Sequence, residues 1–151
     1  MATILEQIKR LEKLNEAEIT KQLFIAVKKA ENKFIELNKR QLLKGENQEG
    51  NVVGEYSPYT EGFADRDGIL TDKTPNSPYN FQWTGDFYKG FSLSISGSEA
   101  TIFSTGIGSG EKADFLTSEN LFGLNDKNLS NVIREEILPF INNFARTTLK
   151  I

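Results

Sequence analysis

The chain has 151 residues, a formal net charge of −3, and neither Cys nor His. This length is enough for one domain with its own hydrophobic core. The lack of Cys excludes disulfides and thiolate metal sites, which fits a protein made in a reducing compartment. The lack of His removes the commonest general base and transition-metal ligand, so most hydrolytic and metal-assisted mechanisms are disfavoured.

The charge is unevenly distributed along the chain. Residues 1–45 contain ten Lys and Arg against six Asp and Glu, a balance of +4, which leaves −7 for the rest. This polarity would favour head-to-tail contact between subunits or contact with an acidic partner, although a solvated helix is the simpler interpretation. The Lys residues are interleaved with Glu and lack neighbouring stacking aromatics, so a nucleic-acid partner is not expected.

A short amphipathic helix is predicted at the N-terminus. Ile4, Ile8 and Leu11 recur at helical spacing, which predicts a helix over about 3–14. The same segment mixes charges into its apolar positions, unlike a signal peptide. The longest wholly apolar run, 23–27, is far shorter than the roughly 20 residues that span a bilayer. We therefore expect a soluble protein without membrane contact.

A second, longer helix is predicted from Asn15 to a stop at Gly45. Asn15, with Glu18 three residues later, has the pattern of a capping box, and a Gly is a common helix terminator. The main apolar stripe consists of Ile19, Leu23, Val27 or Ala30, Phe34 and Leu37. Other apolar residues lie off this stripe, so the helix is expected to be covered on two sides. The second cover could be the protein's own core or a neighbouring subunit.

The segment 46–82 is predicted to be a long irregular arm. It is rich in Gly, Pro, Ser, Thr, Asn and Asp and has no sustained period. Segments of this length are usually functional or disordered, but the aromatic content argues against disorder. The aromatic residues are Tyr56, Tyr59, Phe63, Tyr79 and Phe81, followed by Trp83. We expect the arm, which could include a short strand at 52–56, to pack on its own domain or on a neighbour.

A β-hairpin is predicted after the arm. The segment 83–87 is expected to open a strand, and apolar residues then alternate with serines over 91–96. A turn at 97–99 returns the chain along a partner strand at 100–105. A lone hairpin is only marginally stable, so its apolar face should lie on the long helix. The predicted fold is α+β, with N-terminal helices and a C-terminal helix packed on a small antiparallel sheet.

The Gly-rich loop at 106–112 does not match a phosphate-binding loop. A P-loop has four residues between its glycines followed by Lys and then Ser or Thr. Here three residues separate Gly106 from Gly110, and Glu111 follows. The loop also lacks the strand-to-helix setting of a phosphate site. A flexible connection from the hairpin to a helix is the favoured interpretation.

The C-terminal helix is predicted to be mostly core. The stretch 121–125 could form a last short strand or an anchored turn before it. The candidates for its N-cap are Asp126, Asn128 and Ser130. Its apolar stripe consists of Leu129, Val132, Ile133, Ile137, Phe140, Ile141 and Phe144. Pro139 should kink or split this helix near Ile137.

Carboxylates are the remaining groups that could support catalysis. Glu61, Asp65 and Asp67 lie in the arm, and Glu135 and Glu136 lie on the last helix. Neighbouring helical residues point in different directions, and loop acids beside Gly usually form turns. None of these pairs has a distinctive spacing. We therefore predict no catalytic, cofactor-binding or metal-binding residues and expect the protein not to be an enzyme.

The order of these features resembles the phage tail-component and virion morphogenesis families. Thr84-Gly85 matches their Thr-Gly motif ahead of a strand and hairpin, although Phe87 stands where an aliphatic residue is usual. Leu121-Phe122-Gly123-Leu124 resembles the later motif before a final helix. Two positions depart from the pattern. Gly90-Phe91 replaces a Ser-Ile pair, and Ser118-Glu119-Asn120 replaces Pro-Ala-Arg.

This resemblance implies a structural protein of a tailed phage or prophage that acts in tail completion or head-tail joining. Such proteins form rings at the neck or tail end, so the expected partners are further copies of the chain and other virion proteins. The expected location is the virion, assembled in the host cytoplasm. The candidate interface residues are Tyr56, Tyr59, Phe63, Trp83 and Phe122. The alternative is a non-enzymatic adaptor that engages a host protein.

The chain is expected to form a single domain, 1–151. Its predicted parts are a helical region at 1–45, the arm at 46–82, a β-hairpin region at 83–125 and the C-terminal helix at 126–151.

Overall fold

A computed structural model describes residues 3–66, 68 and 73–151, without the side chains of residues 61, 63–65, 111 and 112. The described residues form helices around one β-hairpin. The elements are α1 (Ile4–Leu11), α2 (Glu16–Lys29), α3 (Glu31–Leu43), α4 (Pro58–Arg66), α5 (Asp86–Lys89), β1 (Phe91–Ser96), β2 (Glu99–Ser104), α6 (Glu111–Ser118), α7 (Asp126–Val132), a π-helical turn (Ile133–Ile137) and α8 (Leu138–Leu149). The α+β prediction is confirmed.

The N-terminal helix begins with a complete capping box. The Glu6 amide donates to Thr3 Oγ1 at 3.3 Å, and the Thr3 amide donates to the Glu6 carboxylate at 2.7 Å. Before α2, only half of the predicted box forms, because the Asn15 side chain accepts from the Glu18 amide without a return bond.

The prediction of one continuous helix up to Gly45 is wrong in one respect. The chain leaves helical geometry at Ala30, which is buried between α2 and α3. No Gly or Pro marks this break. The change of direction lets α2 pack against α8 while α3 packs against β1, so tertiary contacts outweigh local helix propensity. The predicted stop is confirmed, since Gly45 takes a left-handed conformation with φ +79°.

The arm at 46–82 folds back on itself and contains a helix that the sequence did not predict, α4. Isolated bridges join Glu46 to Val52 and Glu55 to Pro78, in place of the strand considered at 52–56. The returning chain crosses close over Gly45, where an added Cβ would lie 2.7 Å from Pro78 Cβ. The base of the arm is therefore fixed to the end of α3.

The predicted strand opening at 83–87 is wrong, because the chain forms a helical turn there. Gly85 has φ +89° and turns the chain, and the Lys89 amide then donates to the Gly85 carbonyl at 3.0 Å. This turn, α5, directs Phe87 into the core. The hairpin itself is confirmed, with β1 and β2 antiparallel in a register that pairs Phe91 with Ser104.

The stretch 121–125 is an anchored turn, one of the two predicted options. The Asn38 side-chain amide donates to the carbonyls of Leu121 and Gly123, each at 2.9 Å. The N-cap predictions Asp126, Asn128 and Ser130 are wrong. Asn125 is the N-cap, because its extended backbone lets its side chain accept from the Asn128 amide.

The last helix is split near Ile137, as Pro139 predicted. A π-helical turn, in which the Leu138 amide donates to the Ile133 carbonyl, separates α7 from α8. Proline has no amide hydrogen, so one α-helical bond is lost at this point and the wider turn accommodates the loss.

Two buried clusters hold the elements together. The larger joins α3, α5, the hairpin, α6 and the anchored turn, and consists of Leu42, Phe87, Phe91, Leu93, Ile102, Leu116 and Leu121. The smaller joins α2 to the last helix and consists of Ala26, Ala30, Val132 and Ile137. Within the ranges that the structure covers, none of the helices is long and apolar enough to cross a bilayer.

Candidate functional site

Helix α1 lies on the protein with its polar side inward. Gln7 and Arg10 are half-buried, and the Arg10 guanidinium donates to the Leu149 carbonyl at 3.2 Å. The apolar stripe faces solvent. It consists of Ile4, Leu5, Ile8 and Leu11, with Ile4 80% exposed and Leu5 71% exposed. We call these four residues the outward face.

The outward face is unusual because a surface helix normally buries its apolar stripe. Within Ile4–Leu11, which the structure describes in full, no side chain is buried. Exposed aliphatic residues are ordinary when they are scattered, but four on one side of a short helix form a patch. Such a patch is typical of a surface that contacts another molecule.

A second apolar surface is a groove between α2 and the last helix. It has a volume of about 390 Å³, and β2 lies along it. Leu23 from α2, Leu129 from α7 and Ile133 from the π-helical turn remain partly exposed in it. We call this the apolar groove. None of the residues of α1 is among its described lining residues.

A third surface feature is a cavity of about 300 Å³ between the arm and α6, which we call the aromatic pocket. Its described lining residues are Tyr56, Lys73, Tyr79, Phe81, Gln82, Trp83, Phe115 and Leu116. The Tyr79 ring meets Phe115 almost at a right angle, with 5.9 Å between centroids, and Tyr56 edge-on at 4.9 Å. The walls are therefore mostly the rings of aromatic side chains.

A polar network lies beside the aromatic pocket. The buried Lys73 ammonium is 2.7 Å from the Tyr56 hydroxyl and 2.5 Å from the Asn80 side-chain oxygen. It also lies 4.4 Å from the Tyr56 ring centroid and 5.8 Å from that of Trp83. The Tyr88 hydroxyl donates to the Asn80 carbonyl at 2.6 Å. Asn80 thus links the arm to α5.

Burial perturbs the two phenols of this network. Loss of solvent raises the pKa of Tyr88 far above its ordinary value, and the nearby Tyr56 contributes in the same direction. Burial likewise raises the pKa of Tyr56, although hydrogen bonds from backbone groups oppose the shift. Both groups are therefore held in the neutral form and act as hydrogen-bonding groups.

The structure separates the predicted interface residues into different settings. Tyr56 is buried by its own chain, whereas Tyr59 on α4 is 78% exposed. Trp83 is half-buried in the wall of the aromatic pocket. Phe122 packs against Phe87 and Phe91, lies partly in the larger core, and lines the apolar groove. The side chain of Phe63 lies outside the described residues.

Three features of these surfaces were not predicted from the sequence. Helical spacing identified the stripe of α1 but contained no signal for the side that faces solvent. Lys73 stands among polar residues and nothing in its neighbourhood predicted burial. Phe115 lies between the two segments to which the sequence assigned a structure, although aromatic residues on both sides of the hairpin could have suggested that they meet.

The described acidic side chains are too scattered to form a metal site. In the part of the chain that the structure describes, no group of three or more His, Cys, Asp or Glu side chains could hold an ion. Comparison of the chain with protein-family models, with curated proteins and with solved structures gave no match.

Proposed function

We propose that the chain is a structural virion protein that acts in tail completion or head-tail joining, as a ring-forming component of the neck or tail end. The observation that carries this proposal is the outward face of α1. A stripe of aliphatic residues held in solvent is explained if another chain covers it in the assembled particle.

The apolar groove supports the same proposal. A protein that carries a projecting apolar patch and a recessed apolar surface at different places can make head-to-tail contacts, which close into rings when the rotation permits. The order of elements around Thr84-Gly85 and Leu121-Phe122-Gly123-Leu124, which resembles the virion families, adds independent support.

The two motifs that carry the resemblance also meet in space. Phe87, which follows Thr84-Gly85 closely, has its ring centroid 6.0 Å from that of Phe122. Both residues belong to or pack against the larger buried cluster. The motifs therefore act as structural elements that fix the fold, which leaves outer surfaces such as α1 to contact other chains.

The test is deletion of the gene from the phage or prophage that encodes the chain, followed by electron microscopy of the lysate. We expect separate heads and tails, or tails without their end structure, and joined particles when the gene is restored. Purified particles should contain the protein. Joined, infectious particles made without the protein would rule the proposal out, and an adaptor of a host protein would be the alternative.

The role of α1 is tested by complementation with Ile8→Lys. Leu138→Lys is the matched control, because the two side chains are exposed to nearly the same degree, 46% and 48%. We expect the first variant to fold but to fail to restore joined particles and the control to restore them. Equal restoration by both would remove α1 from the interface.

A further inference from the structure

The outer edge of β1 is closed by the protein's own chain. In an antiparallel pair, every second residue directs its amide and carbonyl away from the partner strand. The bond from the Thr105 amide to the Gly90 carbonyl, at 3.1 Å, marks an inward-facing pair, and the alternation from it places Leu93 outward. The Leu93 amide donates to the Glu31 carboxylate at 3.3 Å, and α3 packs against β1. This edge is therefore not available to another strand.

The outer edge of β2 is open. Ile102 is the partner of Leu93, so the outward amides and carbonyls of β2 belong to Ala100, Ile102 and Ser104. Within the part of the chain that the structure describes, none of these three amides makes a hydrogen bond outside the hairpin. Ala100 and Ile102 also line the apolar groove, so open space borders the edge there.

Strand β2 lacks the usual protections of an edge strand. Soluble proteins commonly protect such a strand with Lys, Pro or a bulge, or cover it with another element. Glu99–Ser104 contains no Lys or Pro, and all six residues pair with β1 in an unbroken register. Glu99 is its single charge and lies at the turn end of the strand. A regular edge rich in strand-forming residues is a template for pairing with another strand.

The open edge is complementary to itself. Ile102 is the middle one of the three outward-facing residues of β2. When two copies of β2 lie antiparallel about Ile102, the two Ile102 residues exchange amide-to-carbonyl bonds, and Ala100 does so with Ser104 of the second copy. All the outward amides of both strands then have acceptors. Because the β1 edge is closed, the strand that a second copy can offer from its hairpin is its own β2.

The side chains fit the same register. Glu99 lies beside Thr105 of the second copy, so no like charges are opposed. Thr101 and Phe103 project from the exposed side of the hairpin, and Phe103 is 37% exposed. In the paired strands, each Thr101 lies directly beside Phe103 of the other copy. Pairs of a β-branched and an aromatic residue are among the stabilising cross-strand contacts.

We propose that the outer edge of β2 binds β2 of a second copy of the chain, which joins two hairpins into one four-stranded antiparallel sheet. A two-stranded hairpin is only marginally stable alone, and additional strands stabilise it. This contact does not rest on the virion role. Its test uses the isolated protein with α1 unchanged, so failure of one proposal is distinguishable from failure of the other.

Disulfide cross-linking tests the register, because the natural chain has no Cys. Thr101 and Phe103 of the second copy would form a non-hydrogen-bonded pair with Cα atoms about 4.5 Å apart, within the range of about 4.4–6.8 Å that a disulfide spans. We expect a mixture of Thr101→Cys and Phe103→Cys proteins to give more mixed dimer than random collision does. Each variant alone should cross-link less, because a residue and its own copy lie diagonally, about 7–8 Å apart.

Ser94→Cys is the matched control for Thr101→Cys. Ser94 is the exposed partner of Thr101 on β1, so it lies one strand further from Phe103 of the second copy, at about 10 Å. Mixed with Phe103→Cys, it should give no excess of mixed dimer. The proposal is overturned if both mixtures give the same excess, or if both give only the share expected from random collision.

Hydrogen exchange of the unmodified protein tests the contact itself. The Ile102 amide should exchange about tenfold more slowly once about nine chains in ten are paired, whereas the Leu93 amide, already bonded to Glu31, should not change with concentration. Ile102 exchange that stays the same up to the highest attainable concentration overturns the proposal. Protection that appears only after another virion protein is added would assign the edge to that protein and also overturn the pairing of two copies.

Discussion

Leu42 on α3 and Ile4 on α1 are both aliphatic residues of amphipathic helices, yet Leu42 is fully buried and Ile4 is 80% exposed. Around Leu42, the neighbouring side chains of Asn38 and Gln41 are also buried and hydrogen-bond to the anchored turn. Around Ile4, the apolar residues face solvent, whereas Gln7 and Arg10 are half-buried against the protein.

The difference shows that amphipathic spacing reports a surface that must be covered and does not report which molecule covers it. The chain itself covers the apolar residues at its centre, and their burial stabilises the fold. Helix α1 contributes little burial to its own chain, and contact with another chain, as proposed above, would account for its exposed apolar stripe. Substitutions in the centre should therefore impair folding. Substitutions on the outward face of α1 should instead impair assembly and leave folding intact.

The largest effect is expected from a cavity in the centre. Leu121 is fully buried and lies in the turn before α7, outside any helix, so truncation changes packing without changing helix propensity. Leu121→Ala should lower the free energy of unfolding by about 2–5 kcal/mol. Urea denaturation measures this loss, and a loss below about 1 kcal/mol would mean that the turn is not part of the folding core.

A smaller loss is expected from Gln41→Leu. The Gln41 side chain donates to the carbonyls of Asn47 and Gly123 and accepts from the Asn125 amide at 3.0 Å. A leucine would leave these buried groups without their partner, at a cost of about 1–3 kcal/mol. The control is Gln22→Leu, which removes a single bond to Glu18 on the surface of α2 and should change stability little.

Parts of the fold controlled by local chemistry could be predicted from the sequence. The alternation of apolar residues with serines over 91–96 identified the hairpin. Gly45 marked the end of α3, and Pro139 marked the split of the last helix. Each depends on a backbone property of nearby residues. The break at Ala30 and the helical turn of α5 could not be predicted, because tertiary packing decides them.

The candidate surfaces were less predictable than the fold. Of the predicted interface residues, Tyr56 and Trp83 do lie at the pocket. The pocket itself depends on residues far apart in sequence, such as Tyr79 and Phe115, whose approach no local pattern encodes. The inward burial of Lys73 and the orientation of α1 depend in the same way on the complete fold.

Alkaline pH tests how firmly the arm is fixed to the centre. Burial raises the folded-state pKa of Tyr88, whereas in the unfolded chain a Tyr ionises near pH 10. Above about pH 10 the unfolded chain therefore loses this proton while the folded chain retains it, so stability falls as the pH rises. Tyr88→Phe should be less stable at pH 8, because it loses the bond to Asn80, but its stability should fall less steeply above pH 10.

This prediction is checked by urea denaturation of both proteins at intervals from pH 8 to about pH 11, which brackets the ordinary Tyr pKa. The difference in slope is the readout, since Lys residues titrate in both proteins alike. Parallel slopes would show that Tyr88 is accessible to solvent in the folded chain, and that Asn80 does not link the arm to α5 as the structure indicates.

The smallest effect on stability is expected for substitutions in α1. There the informative result is which of two substitutions destabilises the protein more. Leu5→Gln replaces a residue of the outward face with one of similar helix propensity, so the stability of the isolated protein should change by no more than about 0.5 kcal/mol. Arg10→Gln removes the bond to the Leu149 carbonyl and should cost more, about 1 kcal/mol. In most surface helices the apolar substitution is the costlier of the two, because the apolar side faces the core. Denaturation at low protein concentration, where chains do not associate, measures both variants. If Leu5→Gln proved the more destabilising, the stripe of α1 would be packed against its own chain and would no longer be a surface for others.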